Sequence, residues 1–579
     1  MKNKKKFIPV LAVALLIIIV ILITLAARVI EKYIPSKEVQ DMREYYGLSE
    51  ESDAAIVLDD QVLEMNAKYL NGQVYIDFET VHEYFNERFY WDARENLLLY
   101  TLPDELLTVN AGSNEYLIGK KGSSENYTIV RLDGDTMYIA LDFVEKYTNL
   151  SYEFFENPNR VVITSVWGDV EGSVAKKATQ LRVKGGIKSP IVKELEKGEP
   201  LTVLEKGENW TKASTADGII GYLKTKFLGN VEKVARAHEF EEPVFSHISR
   251  DYTIQMAWHQ VTSQEANNTI ATVLQETKGI NVISPTWFYL NDDQGNIASI
   301  ASKSYVDYCH QNNVEVWALV NNIENREVNT TEVLSRTSSR QNLVNKLVSA
   351  AIEYDLDGLN VDIEELENKA GEGFLQFLRE LSLKCANNDI VLSVDNYVPT
   401  DYTAFYNRDE QANFADYIVV MAYDEHYAGS DEGSVASIGF VEDGVKNTLK
   451  EVPAGQILLG CPFYTRIWSL TPKDENGDSA ESAAEDYVPY EVASEAVGMD
   501  TVQRRIALNN AEPVWSKEDG QYYAEYENEG ITYKVWVEDA GSLEEKLKVM
   551  KENQLAGVSF WKLGFETDSI WDTIIKYTN

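Results

Sequence analysis

The chain is short of cysteine and of positive charge, and each shortage excludes something. Three cysteines occur in 579 residues, Cys309, Cys385 and Cys461, far apart and with no CxxC spacing. That argues against a disulfide framework or a zinc site and leaves buried free thiols as the reading. Lysine and arginine number 53 against 93 aspartates and glutamates, a formal net charge of −40. Nucleic-acid phosphates attract the opposite balance, so no nucleic-acid partner is expected. A disordered composition is missing too: hydrophobic residues make up 44% and aromatics 11%, enough for packed cores. At this length about three or four domains are expected.

The amino terminus departs from the acidic picture. MKNKKK precedes an uncharged run, FIPVLAVALLIIIVILITLAA, from Phe7 to Ala27. About 20 apolar residues suffice for a helix to cross the hydrocarbon core. The preceding lysines favour a cytoplasmic amino terminus, with everything beyond Arg28 outside. A cleaved signal peptide is the rival, since Thr24-Leu25-Ala26 loosely fits a small-x-small site, but the run exceeds the usual signal core. The expectation is residues 1–28 as cytoplasmic stub and single-pass anchor, 29–52 as stalk, and an extracytoplasmic body.

A repeat follows in residues 53–167. LNGQVYIDFETVHEYF, from Leu70, aligns with LDGDTMYIALDFVEKYT, from Leu132; Gly72 matches Gly134, Tyr75 matches Tyr138 and Tyr84 matches Tyr147. Each copy reads as turn, strand, amphipathic helix and aromatic hairpin, so two packed copies of a small α+β unit are expected. The pattern resembles the copper amine oxidase amino-terminal-like domain. No His or Cys cluster accompanies it, so no metal is expected there, and a spacer or wall-contact module is the plain reading. Residues 171–230 read as short strands and turns. Leu181-Arg182, the KGE turn at 197–199, Trp210 and Gly221-Tyr222 resemble a bacterial Src-homology-3-like barrel, in which Trp210 and Tyr222 are either glycan-stacking or core aromatics. Residues 231–250 are a linker.

From 251 to 579 strands and helices alternate, which argues for a parallel sheet. The strand candidates are YTIQMAWHQV, INVISPTWFYL, VEVWALV, LDGLNVDIE, IVLSVDN, DYIVVMAYD, QILLGCPFY and GVSFWKLG, mostly continuous apolar runs suited to burial on both faces. Eight such units predict an α/β fold, a (β/α)₈ TIM barrel with an insertion at 470–536 between strands seven and eight.

The stretch DGLNVDIEEL, 357–366, concentrates acids among apolar side chains. On a strand Asn360, Asp362 and Glu364 share one face, and Val361 and Ile363 the other. The polar set then points into the barrel at its carboxyl end, where barrel active sites sit. Carboxylates in a dry interior are costly unless something neutralises them, so stability alone does not explain them. EYDLDGLNVDIE also scans against a calcium loop from Glu353 to Glu364, but with Glu at the first position and Asn360 where an apolar residue belongs.

D-G-L-N-V-D-I-E resembles the DxxDxDxE signature of glycoside hydrolase family 18. The likeness extends over 251–579 through MAYD at 421–424, GCPFYTRIW at 460–468 and FWKLG at 560–564; ISPTWF, NVDIE and VWVEDAGS look like its spore-cortex and wall-lytic N-acetylglucosaminidase branch. The resemblance implies Glu364 as general acid, Asp362 holding the substrate acetamido N–H, and Tyr423 donating to the acetamido oxygen, with the acetamido group itself as nucleophile and retained configuration. It implies Asp424 lining the pocket, Trp561 as apolar floor, Asp357 and Met421 among the binding residues, and Trp287, Tyr289, Tyr464 and Arg466 as looser cleft candidates. No cofactor and no metal are implied. Asn360 departs from the pattern, where most members carry Asp; its amide is expected to donate to Asp362 and let it ionise more readily. The implied substrate is a polysaccharide containing N-acetylglucosamine, peptidoglycan or cortex given the anchor and wall-type modules. Chitin is the enzymatic alternative, a non-catalytic lectin-like member or a sporulation scaffold the non-enzymatic ones.

Overall fold

The computed structural model describes residues 8–472 and 490–578, and part of the predicted insertion, at 473–489, lies outside them. A 26-residue helix, Ile8–Tyr33, opens the described chain, and its side chains from 11 to 25 are exposed. Beyond it are two compact units, one gathering most of the chain up to Glu242 and the other built mainly from Pro243 onward.

In the first unit the repeat is visible as paired structure. Strand Gln73–Asp77 leads into helix Phe78–Tyr84, and strand Thr136–Ala140 into helix Leu141–Glu145. The two strands lie antiparallel, Ile76 opposite Ile139, toward one edge of a seven-stranded sheet. Gly72 and Gly134 both sit at positive φ in the preceding turns, where a side chain would be strained. Strands between Gly168 and Arg236 form a second seven-stranded antiparallel sheet around Leu181, Leu195, Leu201, Ala213 and Leu223. Trp210 and Tyr222 are half-buried and outside that core.

The second unit is the expected eight-stranded parallel barrel. Its strands are β1 (Ile254–His259), β2 (Val282–Leu290), β3 (Glu315–Asn321), β4 (Gly358–Asp362), β5 (Val391–Tyr397), β6 (Tyr417–Met421), β7 (Ile457–Pro462) and β8 (Gly557–Trp561). Each pairs in parallel with its neighbours, and β1 pairs with both β2 and β8, closing the ring. Two cores follow from the period-2 alternation. Met256, Trp258, Trp317, Leu319, Tyr417, Val419 and Leu458 fill the lumen. Leu359, Val361 and Ile363 of the β4 segment face the helical shell with Phe374 and Leu378. Burying each such side chain contributes about 1.5–3 kcal/mol. All three cysteines are buried and free.

The segment from Glu353 to Glu364 is the end of helix Thr337–Tyr354, a left-handed turn at Asp355 and strand β4, as the strand reading expected, and not the calcium loop weighed against it. One boundary differs from the sequence reading. The insertion begins at Tyr464, not at 470: strand Tyr464–Pro472 belongs to a five-stranded antiparallel sheet that returns through Ile531–Val537. The apolar run GCPFYTRIW hides this break, because both the barrel strand and the insertion strand are buried.

Candidate active site

The inward faces of β4 and β5 form two matched ladders at the carboxyl end of the barrel. Asn360 is level with Ser393, and Val361 with Val394. Asp362 therefore stands beside Asp395, two residues further along each strand. Asn360 is fully buried, and its amide is saturated. The carbonyl accepts from Trp258 Nε1 at 2.9 Å and Ser284 Oγ at 3.1 Å, and Nδ2 donates to Asp395 Oδ1 at 2.8 Å and Ser393 Oγ at 3.0 Å. The expected bond from Asn360 to Asp362 is not made. The indole N–H is a donor only, so it fixes the amide oxygen toward Trp258 and turns the NH₂ toward β5.

Asp362 is 8% and Asp395 3% exposed. Asp362 Oδ1 and Asp395 Oδ2 are both buried with no protein hydrogen-bond partner. Burial pushes the Asp362 carboxyl well above the usual carboxylate range, and the charges of Asp395 and Glu364 push it further. Asp395 is driven the same way by burial and by Glu364, against the opposing bond from Asn360. The amide at 360 thus does not relieve Asp362 of a like-charged neighbour, because Asp395 supplies one from the next strand.

Glu364 lies just past β4 and is half-buried. Asn322, after β3, clamps its backbone at two points: Oδ1 accepts the Glu364 N–H and Nδ2 donates to its carbonyl, each at 2.9 Å. Tyr397, at the end of β5, donates its hydroxyl to Glu364 Oε2 at 2.8 Å. The Glu364 pKa is raised, first by burial; the Tyr397 bond lowers it, Glu365 and Asp424 raise it, and Arg326 lowers it. A carboxylic acid whose pKa is raised, at the mouth of a barrel, is suited to donate a proton.

Tyr423 follows β6, and its phenol feels the charges of Asp395, Asp362 and Glu364 as well as Tyr464. Gly460 leaves room for it: a Cβ there would lie 3.3 Å from Tyr423 Cε1 and 2.8 Å from the Val420 carbonyl. Asp424 is exposed and accepts from Tyr464 Oη at 2.6 Å and Arg466 Nη2 at 3.3 Å, which ties the start of the insertion to the barrel rim. Met421 ends β6 on the alternation that turns Tyr417 and Val419 inward. Trp561 ends β8 in edge contact with Trp258, ring centroids 5.8 Å apart. Tyr289 is half-buried near the end of β2.

Two sequence candidates lie elsewhere. Asp357 is at the opposite end of β4, five residues or about 16 Å of strand from Asp362. Its Oδ2 accepts from His310 Nε2 at 2.9 Å and the Val316 N–H at 2.8 Å, so it fastens the bottom of the barrel and does not line a cleft. Trp287 is fully buried in the outer core, with Nε1 on Asn267 Oδ1 at 2.8 Å and its ring against Tyr305. Alternation from the inward Val282 and Ser284 turns Trp287 outward, and the register shift between Thr286 and Phe288 sends Phe288 to the same outer core. Conversely, Ser284, Asn322, Ser393, Asp395 and Tyr397 were missed. The signal for the last three was S-x-D-x-Y, a period of two in LSVDNY that follows the apolar Ile390-Val391-Leu392.

Among the described residues no cluster of His, Cys, Asp and Glu is arranged to hold a metal ion. The barrel and its mouthward pair of carboxyls define a glycosidase-type site. Residues 254–566, more than half of the chain, match Glycosyl hydrolases family 18, and the protein is a glycoside hydrolase belonging to that family. Residues 177–229 match the Bacterial SH3 domain. Among similar proteins, the uncharacterized glycosylase YvbX of Bacillus subtilis (strain 168) is 22% identical over 339 residues, 55% of this chain and 93% of that one. The cortical fragment-lytic enzyme of the same organism is 26% identical over 272 residues, 45% of this chain and 59% of that one. The solved C-terminal domain of a Desulfitobacterium hafniense DCB-2 protein assigned as a chitinase shares the fold at a TM-score of 0.50 and 19% identity, covering 57% of this chain and all of that one.

Proposed function

We propose that the protein is a membrane-anchored, extracytoplasmic glycosidase that cuts β-1,4 bonds of N-acetylglucosamine-containing wall polysaccharide, peptidoglycan or spore cortex. The observation that carries this reading is Glu364, raised in pKa and hydrogen-bonded by Tyr397, two residues from the buried Asp362. Glu364 protonates the glycosidic oxygen as the bond breaks. The substrate's 2-acetamido oxygen attacks the anomeric carbon, and Asp362 accepts the acetamido N–H and balances the cation that forms. Tyr423 donates to the acetamido oxygen, and Trp561 lies under the sugar. Glu364, now ionised, takes a proton from the water that opens the ring intermediate, so configuration is retained. General-acid assistance of this kind contributes about 10²–10⁴-fold. Met421, Asp424, Tyr464, Arg466 and Tyr289 are the binding residues of this reading.

Substrate and location rest on the rest of the chain. The cortical fragment-lytic relative supports a wall target, and the bacterial SH3 match supports wall docking. The apolar helix Ile8–Tyr33 behind MKNKKK supports an inside amino terminus and a single-pass anchor. The duplicated unit serves as a copper amine oxidase amino-terminal-like spacer between anchor and barrel.

The test is to incubate purified full-length protein with peptidoglycan, cortex and chitin and to identify new reducing ends by mass spectrometry. Reducing-end N-acetylglucosamine from peptidoglycan or cortex is the expected product, and Glu364→Gln abolishes it. Cleavage of chitin alone moves the substrate to chitin, binding without new ends makes the barrel a lectin, and parental rates from Glu364→Gln remove Glu364 as the acid.

A further inference from the structure

Resting on this reading of Asp362, we infer that Asp395 is its proton-sharing partner: a positioning residue on β5 that takes the role a carboxylate at position 360 would have had on β4. The argument is geometric. Neighbouring strands lie about 4.8 Å apart, and the register Val361 to Val394 sets Asp362 and Asp395 side by side on the inward face. Asn360 holds Asp395 Oδ1 at 2.8 Å, which leaves Oδ2 to face outward from that bond. Asp395 Oδ2 and Asp362 Oδ1 are the two buried carboxylate oxygens in this ladder that no protein donor serves. One proton between them satisfies both at once.

No other group in the ladder can do this. Both N–H bonds of Asn360 are used, and its oxygen already accepts two donors. Tyr397 is spent on Glu364. The ionisable groups facing the pair are Glu364 from the end of β4, Tyr423 from β6 and Tyr406 from the turn after β5, with Glu365, Asp424 and Arg326 acting on Glu364. The one cation among these, Arg326, is paired to Glu365, with Nη1 to Oε2 at 2.6 Å. Two adjacent buried carboxylates without a cation do not both ionise, and their titration belongs to the pair. The pair therefore keeps Asp362 neutral in the resting site. As positive charge develops on the sugar, the proton passes from Asp362 Oδ1 to Asp395 Oδ2, Asp362 becomes the anion, and the charge of the pair is unchanged.

The experiment compares the full-length parent, Asp395→Asn, and the exchange variant Asn360→Asp/Asp395→Asn. In Asp395→Asn, kcat falls with KM within about twofold, and the acid limb of kcat/KM moves up by about one pH unit or more, because buried Asp362 must then lose its own proton to ionise, with no partner carboxyl to share it. The exchange variant returns the limb toward the parental position. Independently of turnover, the parent shows a protonated-carboxyl component in its infrared spectrum at neutral pH, beside that of Glu364, that Asp395→Asn and Asp362→Asn each remove while Glu364→Gln leaves it. A parental pH profile in Asp395→Asn, an exchange variant no better than the single one, or an infrared band indifferent to Asp395 overturns the inference. The infrared result stands even if no glycan tried is cut, so it fails separately from the proposed function.

Discussion

Replacing Tyr397 by Phe isolates one hydrogen bond on the proposed acid. The phenol oxygen donates to Glu364 Oε2 at 2.8 Å and accepts the Glu365 N–H at 3.3 Å, while the ring packs edge-on against Tyr406 at 6.1 Å. Phe keeps the ring and removes only the hydroxyl, so the barrel folds as before. A hydrogen bond to a charged acceptor contributes about 1.5–3 kcal/mol, and the half-buried carboxyl argues for the lower end. The bond favours the ionised form of Glu364, which is why it lowers the pKa against the raising effect of burial. Its loss therefore raises that pKa further. At 1.36 kcal/mol per unit the change is about one pH unit. The alkaline limb of kcat/KM, where activity is lost as the acid ionises, is expected to move up by that amount in Tyr397→Phe, measured on a chromogenic chito-oligosaccharide from acid to alkaline pH. An unmoved limb, or one displaced toward acid, would refute Glu364 as the group whose ionisation ends activity.

Two further substitutions separate catalysis from scaffold. Gly460→Ala drives a methyl into the Val420 carbonyl and the Tyr423 ring; kcat should drop on the order of 10²-fold through displacement of Tyr423, and denaturant titration should show a loss of about 1–3 kcal/mol from the clash with the backbone. Asp357→Ala removes the acceptor for His310 and the Val316 N–H; it should destabilise by about 1–3 kcal/mol in denaturant titration and leave KM unchanged, whereas a raised KM would return Asp357 to the cleft.

The barrel was legible because fully buried parallel strands write themselves as nearly continuous apolar runs, and most of the eight did. The acids of β4 were legible for the complementary reason, since charge at alternate positions of such a run has no structural use. What stayed hidden depends on tertiary register. Nothing in DGLNVDIEEL tells that the amide of Asn360 is consumed by Trp258, Ser284, Ser393 and Asp395, because three other strands supply those partners. Trp287 was misplaced because nothing in ISPTWF tells which of the two alternating faces of β2 is the lumen; Ser284, on Asn360, marks it, and Trp287 falls on the other. Asp357 sits in the motif yet serves the far end, since a motif contiguous in sequence spans the whole height of a strand. The insertion boundary was blurred because Phe463 and Tyr464 are as buried as the strand before them.

The saturated amide at 360 has a consequence for descent. With Asn at one rung and an acid diagonally across from it, neither site can change alone without stranding a donor or crowding in a third negative charge. Lineages that restore Asp at the first position are expected to have shed the acid at the second, so the two codons should be inherited as a unit, and a search keyed to the usual acidic signature would pass over this branch.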